Sequence, residues 1–466
     1  MSVIIRYIKE IILSKLEEDE KEFERLLYEM DFQNFERLLQ NKLHDVGRTI
    51  IKAVLEKMDQ LIKQDKTLRP GWVVCRKDDV KEVVTCFGTV SYARTYYRHK
   101  ETGQYAYLVD EQAGYAPHMR LDPTVKAKLI EHAAEMSYRK SAEKVGAACG
   151  GVALSGQTVL RAVREFKEPE MPVQERKAVP RLYIEADEDH VACQHGRALE
   201  SRLVYIHEGW EEKDGRRSLK NPVYLSGMDK EADEFWEKVW DEVNKRYDLD
   251  RIEKIYVIGD GAAWIKCAQL VFPKAEFISD KFHLMKYIRR ALGGNKELNK
   301  TLMGALRFGN FEKAQEVIEK LLKRAPTASR KQAIIQSWSY IRSNWEGITR
   351  TYSHKEIKCS AEGHISHVLS ARMSSRPMGW SREGAKHMAY IRVCQANGQS
   401  VAEEYLRQQQ VNYKIEIMTT SPAETVEVER QKKTKATCET HDNIPVLKGP
   451  KNFLYKALRE LSLAYA

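Results

Sequence analysis

Acidic residues stand at the ends of two predicted strands in the middle of the chain. Asp187 closes the apolar run of LYIEAD, and Asp260 follows IYVIG with Gly259 and Gly261 on either side. In an open α/β sheet, ligands bind at the carboxyl ends of the strands, and flanking glycines allow a tight turn that a ligand can approach closely. An isolated acid at a strand end is more often a solvated loop residue. Two of them on neighbouring strands predict a shared site.

A third carboxylate is expected because two aspartates would leave a pair of metal ions under-coordinated. Phosphodiester cleavage by two divalent cations needs carboxylates around both ions, and oxygen ligands suit Mg²⁺. Glu362 begins a predicted helix among small residues in KCSAEGHISHVL, whereas Glu356 and Glu383 have less distinctive surroundings. The sequence therefore predicts that Asp187, Asp260 and Glu362 bind two Mg²⁺ or Mn²⁺ ions.

The first acid is ambiguous, because Glu185, Asp187 and Asp189 alternate and so share one face of an extended strand. We favour Asp187, since it ends the apolar run, and keep Asp189 as an accessory residue. Four histidines lack paired metal spacing and receive no ligand role: His190, His195, His364 and His367.

The order of predicted elements indicates an α/β core. Three strands come first and then helices alternate with strands, which implies a mixed sheet with helices on its faces. The predicted strands cover 182–184, 203–207, 223–225, 255–258 and 277–278, and the helices cover 232–245, 262–271 and a segment from 282. The core is expected at 178–292 and 356–398, and the long helical stretch 293–355 between them is expected to be an insertion.

Basic residues follow the third acid along its predicted helix. Arg372 and Arg376 are candidates for contacts with DNA phosphates. Helix capping and core packing are the alternatives for these arginines and for the nearby Trp380.

The N-terminal part divides into a helical region, 1–69, and a small antiparallel β region, 70–120. The segment TYYRHKETGQYAY interleaves tyrosines with basic residues. Such a ribbon fits a DNA backbone, but tyrosines equally often pack on the face of a small sheet. Both interpretations stay open from the sequence.

Residues 121–172 have the pattern of a helix-turn-helix. Ser137 and Ser155 stand at N-cap positions before segments with helical periodicity, and Gly150 and Gly151 separate the two segments. In that motif the start of the second helix contacts bases, so Gln157, Arg161 and Arg164 are the predicted DNA contacts. A small helical bundle with a polar surface is the alternative.

Composition adds weaker evidence. The 77 Lys and Arg residues exceed the 67 Asp and Glu residues and give a net charge of +10, which favours polyanions without proving them as partners. The eight cysteines form no C-x-x-C pair, so we expect neither a zinc ribbon nor a disulfide framework, and a reducing cytosolic setting. We expect no membrane span, because no apolar run reaches about 18 residues.

The motifs taken together resemble a known family. The order of ADEDH, GDGAAWIK, DKFHLMK and EGHISHVLSARMSSRPMGWS is similar to bacterial insertion-sequence DDE transposases of the ISLre type, which are related to Mutator-like and ISL-type transposases. The likeness covers nearly the whole chain. It implies an RNase H-like core with a helical insertion, with Asp187, Asp260 and Glu362 as the metal-binding triad.

The resemblance also implies an accessory pair, Asp280 and His283, and a function in DNA transposition. From the residues alone, His283 is more readily a core histidine with its hydrogen bonds satisfied. The implied partners are double-stranded DNA, as transposon ends and target, and further copies of the chain, in a bacterial cytoplasm close to the nucleoid. A non-catalytic DNA-binding protein derived from a transposase and a structure-specific nuclease are the alternatives. Residues 399–466 are expected to be a polar tail followed by a last helix.

Overall fold

The computed structural model describes residues 2–18, 20–172, 175–213, 215–228, 231–376 and 378–420. Contacts divide the chain into one unit of residues 1–165 with 401–466 and a second unit of residues 166–400. No helix in these described ranges is both long enough and apolar enough to cross a membrane.

The first unit begins with helices that precede a hairpin. The helices are α1 (Ser2–Glu17), α2 (Glu20–Tyr28) and α3 (Phe32–Gln64), and the strands are β1 (Trp72–Thr85), β2 (Gly88–His99) and β3 (Tyr105–Ala106). The acids Asp78 and Asp79 lie within β1. Asp78 takes a positive φ of 61° beside a register shift, so the chain absorbs it as a bulge and the strand continues.

The tyrosines of the hairpin region divide between core and surface. Tyr97 is fully buried in the sheet core. Tyr96 stacks on Tyr105 with ring centroids 5.4 Å apart and lies 4.7 Å from the ring of Tyr107, and the guanidinium of Arg76 covers Tyr96. Packing therefore explains Tyr97, while a contact between the outer tyrosines and DNA stays a prediction.

Four helices complete the part of this unit before residue 166: α4 (Leu108–Ala113), α5 (Pro123–Ala133), α6 (Tyr138–Ala148) and α7 (Gly156–Glu165). Both expected caps form, since the Ser137 hydroxyl accepts from the Lys140 amide at 3.3 Å and the Ser155 hydroxyl from the Thr158 amide at 3.2 Å. Helices α5, α6 and α7 pack on one another. Along α7, Gln157, Arg161 and Arg164 are exposed at helical spacing, and their contact with DNA stays a prediction.

The second unit is built on a five-stranded mixed sheet in the order β10-β9-β4-β5-β8. Its strands are β4 (Arg181–Val191), β5 (Leu199–His207), β8 (Val223–Ser226), β9 (Lys254–Gly259) and β10 (Ala275–Ser279). Strands β4, β9 and β10 are parallel, and β5 is antiparallel to both β4 and β8. This confirms the expected mixed α/β sheet.

A short hairpin, β6 (Trp210–Lys213) and β7 (Arg216–Leu219), was not expected, because its strands are only four residues long and largely charged. Helices α8 (Ala232–Arg246) and α11 (Lys281–Leu292) match the prediction. The single helix predicted for 262–271 is instead two short helices, α9 (Ala263–Lys266) and α10 (Ala268–Val271), which meet at Cys267. The core includes Phe235, Trp236 and Ile184.

The helical insertion packs directly on the sheet. It consists of α12 (Lys296–Arg307), α13 (Phe311–Lys323), α14 (Ala328–Ser343) and α15 (Trp345–Ser353). The Thr351 hydroxyl on α15 donates to the Ser279 carbonyl of β10 at 2.8 Å. Gly347 lies so close that an added Cβ would come within 2.4 Å of the Phe277 ring. The last helix of the insertion therefore packs against the edge strand β10, while the insertion also has a hydrophobic cluster of its own that includes Leu302 and Ile318.

After the insertion the chain forms α16 (Ala361–Ile365), a π-helical turn (Ser366–Ser370), α17 (Ala371–Met373), α18 (Arg382–Ala396) and α19 (Val401–Thr420). Residues 401–420 are therefore helical, and the polar tail expected from 399 is wrong over this range. Helix α19 packs on α5, and the hydroxyl of the buried Tyr405 donates to Glu165 at 2.7 Å. The last helix expected near the C-terminus lies outside the described residues.

The docking of α15 on the sheet predicts opposite effects for two helical glycines. Gly347→Ala should destabilise the protein by about 1–3 kcal/mol, because its methyl group overlaps Phe277. Gly304→Ala, in α12, has no neighbour within 4 Å of the added carbon and should stabilise by roughly 0.5–1 kcal/mol. Urea unfolding of both variants measures the difference, and equal shifts would contradict the docking.

Candidate active site

The acids predicted from the sequence lie on adjacent elements. Asp187 is within β4, Asp260 directly follows β9, and Glu362 is in the first turn of α16. Strands β4 and β9 are parallel neighbours, with Glu185 opposite Ile258. Both aspartates therefore lie at the same edge of the sheet, the one formed by the carboxyl ends of these strands. The strand continues past Asp187, where its end was expected, because β5 stays paired with it as far as Val191.

Asp187 interacts electrostatically with Asp260, Glu362 and His283. Burial first, and then the charges of Asp260 and Glu362, raise the pKa of Asp187 to about 7, against the opposing effects of the Glu188 amide and His283. The Glu188 amide donates to Asp187 Oδ1 at 2.9 Å. Side chains from the β9 turn, α11 and α16 are therefore near enough to Asp187 on β4 for their charges to affect it.

The turn that carries Asp260 is shaped by its glycines. Asp260 Oδ1 accepts from the Ala262 amide at 2.8 Å, which closes the turn. Gly261 has a φ of +87°, and a Cβ there would lie 2.2 Å from Oδ1 of Asn344. A Cβ on Gly259 would lie 2.7 Å from the Ala186 carbonyl oxygen. Both positions therefore require glycine. This agrees with the tight turn around Asp260 that the sequence suggested.

Glu185 lies on the same strand face as Asp187, but its carboxylate already accepts several hydrogen bonds. It is 0% exposed, and it accepts from the Tyr205 hydroxyl at 2.6 Å and the Ser360 amide at 2.6 Å, with His207 Nε2 at 3.1 Å. Burial opposes its ionisation, but the His207, Tyr205 and Ser360 contacts outweigh burial and hold the pKa of this carboxyl below its usual value. The Glu185 carboxylate is therefore already engaged by donors of the protein itself.

Asp189 also has a partner, because its Oδ2 accepts from the Ser374 hydroxyl at 2.6 Å. Both ends of the helical segment 361–373 therefore touch β4, with Ser360 at Glu185 and Ser374 at Asp189. The charges of the other two members of the predicted triad act on Asp187, and its assignment as the first acid stays a prediction.

A π-helical turn lies between these two contacts. The Ser370 hydroxyl donates to the Ile365 carbonyl at 3.3 Å, and Arg392 on α18 donates to the carbonyls of Val368 at 2.8 Å and His367 at 2.7 Å. These donors satisfy backbone groups that the wider turn leaves open, and π turns are frequent at functional sites.

Asp280 and His283 form a pair at the start of α11. Asp280 caps the helix by accepting from the Phe282 amide at 3.0 Å, and its Oδ2 lies 2.8 Å from Nδ1 of His283. The contact with Asp280 raises the pKa of His283, with further contributions from Asp187 and Asp260. His283 therefore belongs to the acid cluster and is not an isolated core histidine.

The two arginines beyond Glu362 have different environments. Arg372 is 7% exposed, its guanidinium lies over the Trp380 ring, and Nη1 is 3.6 Å from the Met378 sulfur. This packing fits the core-packing alternative for Arg372, and its contact with DNA stays a prediction. Arg376 is exposed, and its role stays a prediction. His364, which received no ligand role, hydrogen-bonds the Tyr224 hydroxyl at 2.9 Å.

Within the described ranges, no three His, Cys, Asp or Glu side chains are gathered tightly enough to hold a metal ion as they stand. The donors near Asp187 are nevertheless carboxylates, the ligands that Mg²⁺ prefers. Glu362 is exposed at the start of its short helix. Sequence reasoning missed Ser360, Tyr205, His207 and Asn344, since only their contacts reveal them.

These features define an α/β protein with a carboxylate-rich candidate active site at the edge of a mixed sheet. The chain belongs to the uncharacterised protein family UPF0236, which it matches over residues 25–410.

Several relatives support this assignment. A UPF0236 protein of Caldanaerobacter subterraneus subsp. tengcongensis is 43% identical over 428 residues and is covered to 90% on both chains. Another from that organism is 42% identical, covers 90% of this chain and 89% of its own, and has a name that joins eleven numbered designations. A UPF0236 protein in the vanSb 3′ region of Streptococcus gallolyticus is 25% identical, covering 76% of this chain and 81% of its own.

Among solved structures, the Drosophila P element transposase strand transfer complex aligns with 68% of this chain and 90% of its own at 11% identity. Its TM-score of 0.24 is too low to support an argument about fold or function.

The contacts of Glu185 predict that its substitution lowers stability more than substitution of Asp189 on the same strand. Glu185→Gln places an amide group where the Ser360 amide and the Tyr205 hydroxyl donate, and should cost about 1–3 kcal/mol through an unsatisfied buried donor. Asp189→Asn keeps an oxygen that accepts from Ser374 and should cost less. Urea unfolding compares the two, and equal losses would argue against a special role for Glu185.

The raised pKa of Asp187 predicts a pH dependence of stability. Between its usual value of 3.8 and about 7 the folded state binds the proton more tightly than the unfolded chain, so the contribution of Asp187 to stability falls as pH rises through this window. Asp187→Asn removes the effect. Measured in chelator, the melting temperature of Asp187→Asn relative to wild type should increase from pH 5 to pH 8, whereas a constant difference would contradict the shift.

Proposed function

We propose that this protein is a DDE-type transposase that binds the ends of its own element, cuts a DNA strand and joins the resulting end to target DNA. One observation carries the proposal: Asp187 on β4 and Asp260 after its parallel neighbour β9 lie at the same end of the sheet, where the charges of Glu362 and His283 also act on Asp187. The proposal includes an RNase H-like core. It is supported by the parallel pairing of β4 with β9, which brings two strand-borne aspartates to the same edge.

Asp187, Asp260 and Glu362 would hold two Mg²⁺ or Mn²⁺ ions. Bound there, the cations supply activation of the attacking oxygen and stabilisation of the leaving oxygen. The chain's own part is to hold the carboxylates: the Glu188 amide orients Asp187, the Ala262 amide orients Asp260, and the contact between Ser360 and Glu185 fixes the start of the helix with Glu362.

His283 would act beside these carboxylates as a positive or proton-donating group. Asp280 fixes its ring through Nδ1, and the raised pKa of His283 favours the protonated form. A protonated imidazole stabilises the negative charge of a phosphate that enters the site.

Two further observations support a mobile element. The name of one relative joins eleven designations in a single organism, as expected for a sequence that is present in many copies. Mobile elements multiply within a genome in this way. In the first unit, α6 and α7 form a helix-turn-helix-like pair with Gln157, Arg161 and Arg164 exposed, which would bind the element's terminal repeats.

The test compares two aspartates at opposite ends of β9. With Mg²⁺ and a plasmid carrying the genomic DNA that flanks the gene, Asp260→Ala should abolish strand cleavage and strand transfer while leaving DNA binding intact. Asp250→Ala is the matched control, because Asp250 is exposed just before β9 and should cut as wild type does.

Three outcomes would count against the proposal. Cleavage retained by Asp260→Ala would refute the metal-binding role of the triad. Binding by wild type without any cutting would favour a non-catalytic DNA-binding protein. Cutting of branched DNA without regard to the flanking sequence would favour a structure-specific nuclease.

A further inference from the structure

The two helices that border the candidate active site are unusually one-sided in charge. Helix α11, KFHLMKYIRRAL, and helix α14, ASRKQAIIQSWSYIRS, contain no aspartate or glutamate. Together they carry only positive charges: Lys281, Lys286, Arg289, Arg290, Arg330, Lys331 and Arg342. Helix α13 of the same insertion mixes both signs, with Glu312, Glu316 and Glu319 beside its lysines. The excess of positive charge is therefore local to α11 and α14.

Helices α11 and α14 lie side by side, and we call them the basic helix pair. The rings of Tyr287 and Tyr340 stack at 3.9 Å, Arg290 donates to Gln336 at 2.6 Å, and Arg330 donates to backbone carbonyls at the end of α11. As residue numbers rise along α11 they fall along α14, so the helices are antiparallel. These contacts hold the two basic segments together as one surface.

The cations on this surface are available to a ligand. Lys286, Arg289 and Lys331 are exposed. In the part of the chain that the structure describes, none of these three side chains forms an ion pair or a hydrogen bond. An uncompensated cluster of like charges is repulsive in the free protein, and a polyanion would relieve that repulsion.

One end of the basic helix pair adjoins the acids. Helix α11 begins directly after Asp280, next to His283, and Asn344, which follows α14, packs against Gly261 in the Asp260 turn. At this end, Lys281 is also close enough to Lys355 and Lys358 to interact with their charges. The 12 residues of α11 extend about 18 Å from the site. A chain of phosphates whose scissile group lay at the acids could follow this surface.

We propose that the basic helix pair binds the backbone of double-stranded DNA next to the phosphate being cut. The choice of ligand rests on the proposed function. Lysine and arginine contacts with phosphates are independent of sequence and position the duplex, so this surface would hold the DNA in the site, whereas the helix-turn-helix-like pair would select the end.

The test counts phosphate contacts through their salt dependence. Affinity for a fluorescent duplex of mixed sequence is measured in chelator, so that no cutting occurs, over a series of NaCl concentrations. Log K falls linearly with log salt, and each lost phosphate contact reduces the magnitude of this slope by about 0.9. Lys286→Ala with Arg289→Ala should therefore reduce the slope by about 2 and weaken binding at low salt.

A matched control removes the same charge elsewhere in the insertion. Lys320→Ala with Lys323→Ala, on the mixed-charge helix α13, should leave the slope at its wild-type value. The charge-preserving pair Lys286→Arg with Arg289→Lys should also bind as wild type does, which separates lost charge from damaged structure. Equal slopes for the two alanine pairs would overturn the proposal, whether both slopes were smaller than that of wild type or both were unchanged.

Because the assay needs no catalysis, the two proposals can fail separately. If wild type cuts DNA and the slope of the α11 variant is unchanged, the surface is wrong and the transposase function stands. If the slope falls but wild type never cuts, the DNA surface stands and the catalytic proposal fails.

Discussion

The geometry of the candidate site depends on one buried carboxylate, that of Glu185. It sits in the central strand β4 without solvent contact and receives hydrogen bonds from a hydroxyl and from the backbone amide of Ser360. A buried charge that loses its donors is costly, so strand and loop cannot separate easily. Since Ser360 directly precedes α16, this contact fixes where the helix with Glu362 begins, although that helix lies far along the chain from β4.

The second aspartate is positioned by close packing of small residues. Glycines on either side of Asp260 let the turn approach the backbone of β4 on one side and the Asn344 side chain on the other. Asn344 is contributed by the insertion, which also hydrogen-bonds to β10 through Thr351. The insertion therefore supports the acid cluster physically. Changes in its helices would be transmitted to the Asp260 turn through these contacts.

Much of this arrangement could be predicted from local sequence patterns. Apolar runs ending in acids located β4 and β9, and glycines around Asp260 marked the tight turn, because both signals lie within a few residues. The partners of Glu185 could not be predicted, since Tyr205 and Ser360 are remote in sequence and look ordinary. The surroundings of Arg372 could not be predicted for a related reason: a basic residue near an acid suggests a phosphate contact, but its packing on Trp380 depends on the tertiary fold. Helix α19 was missed because its polar residues hide a sparse apolar stripe that includes Val401 and Tyr405.

The distribution of charge in the second unit links the site to its proposed substrate. Asp187 stays buried among other acids at an energetic cost that its raised pKa records, so the cluster favours anything that brings positive charge. The basic helix pair has the opposite need, because its exposed cations lack acidic partners among the residues described. A DNA phosphate alone would reduce the repulsion among the cations of the basic helix pair but increase the repulsion at the acids. A metal ion alone would have the opposite effects. Only the two together neutralise both, which is why binding of DNA and of divalent cations should be mutually reinforcing.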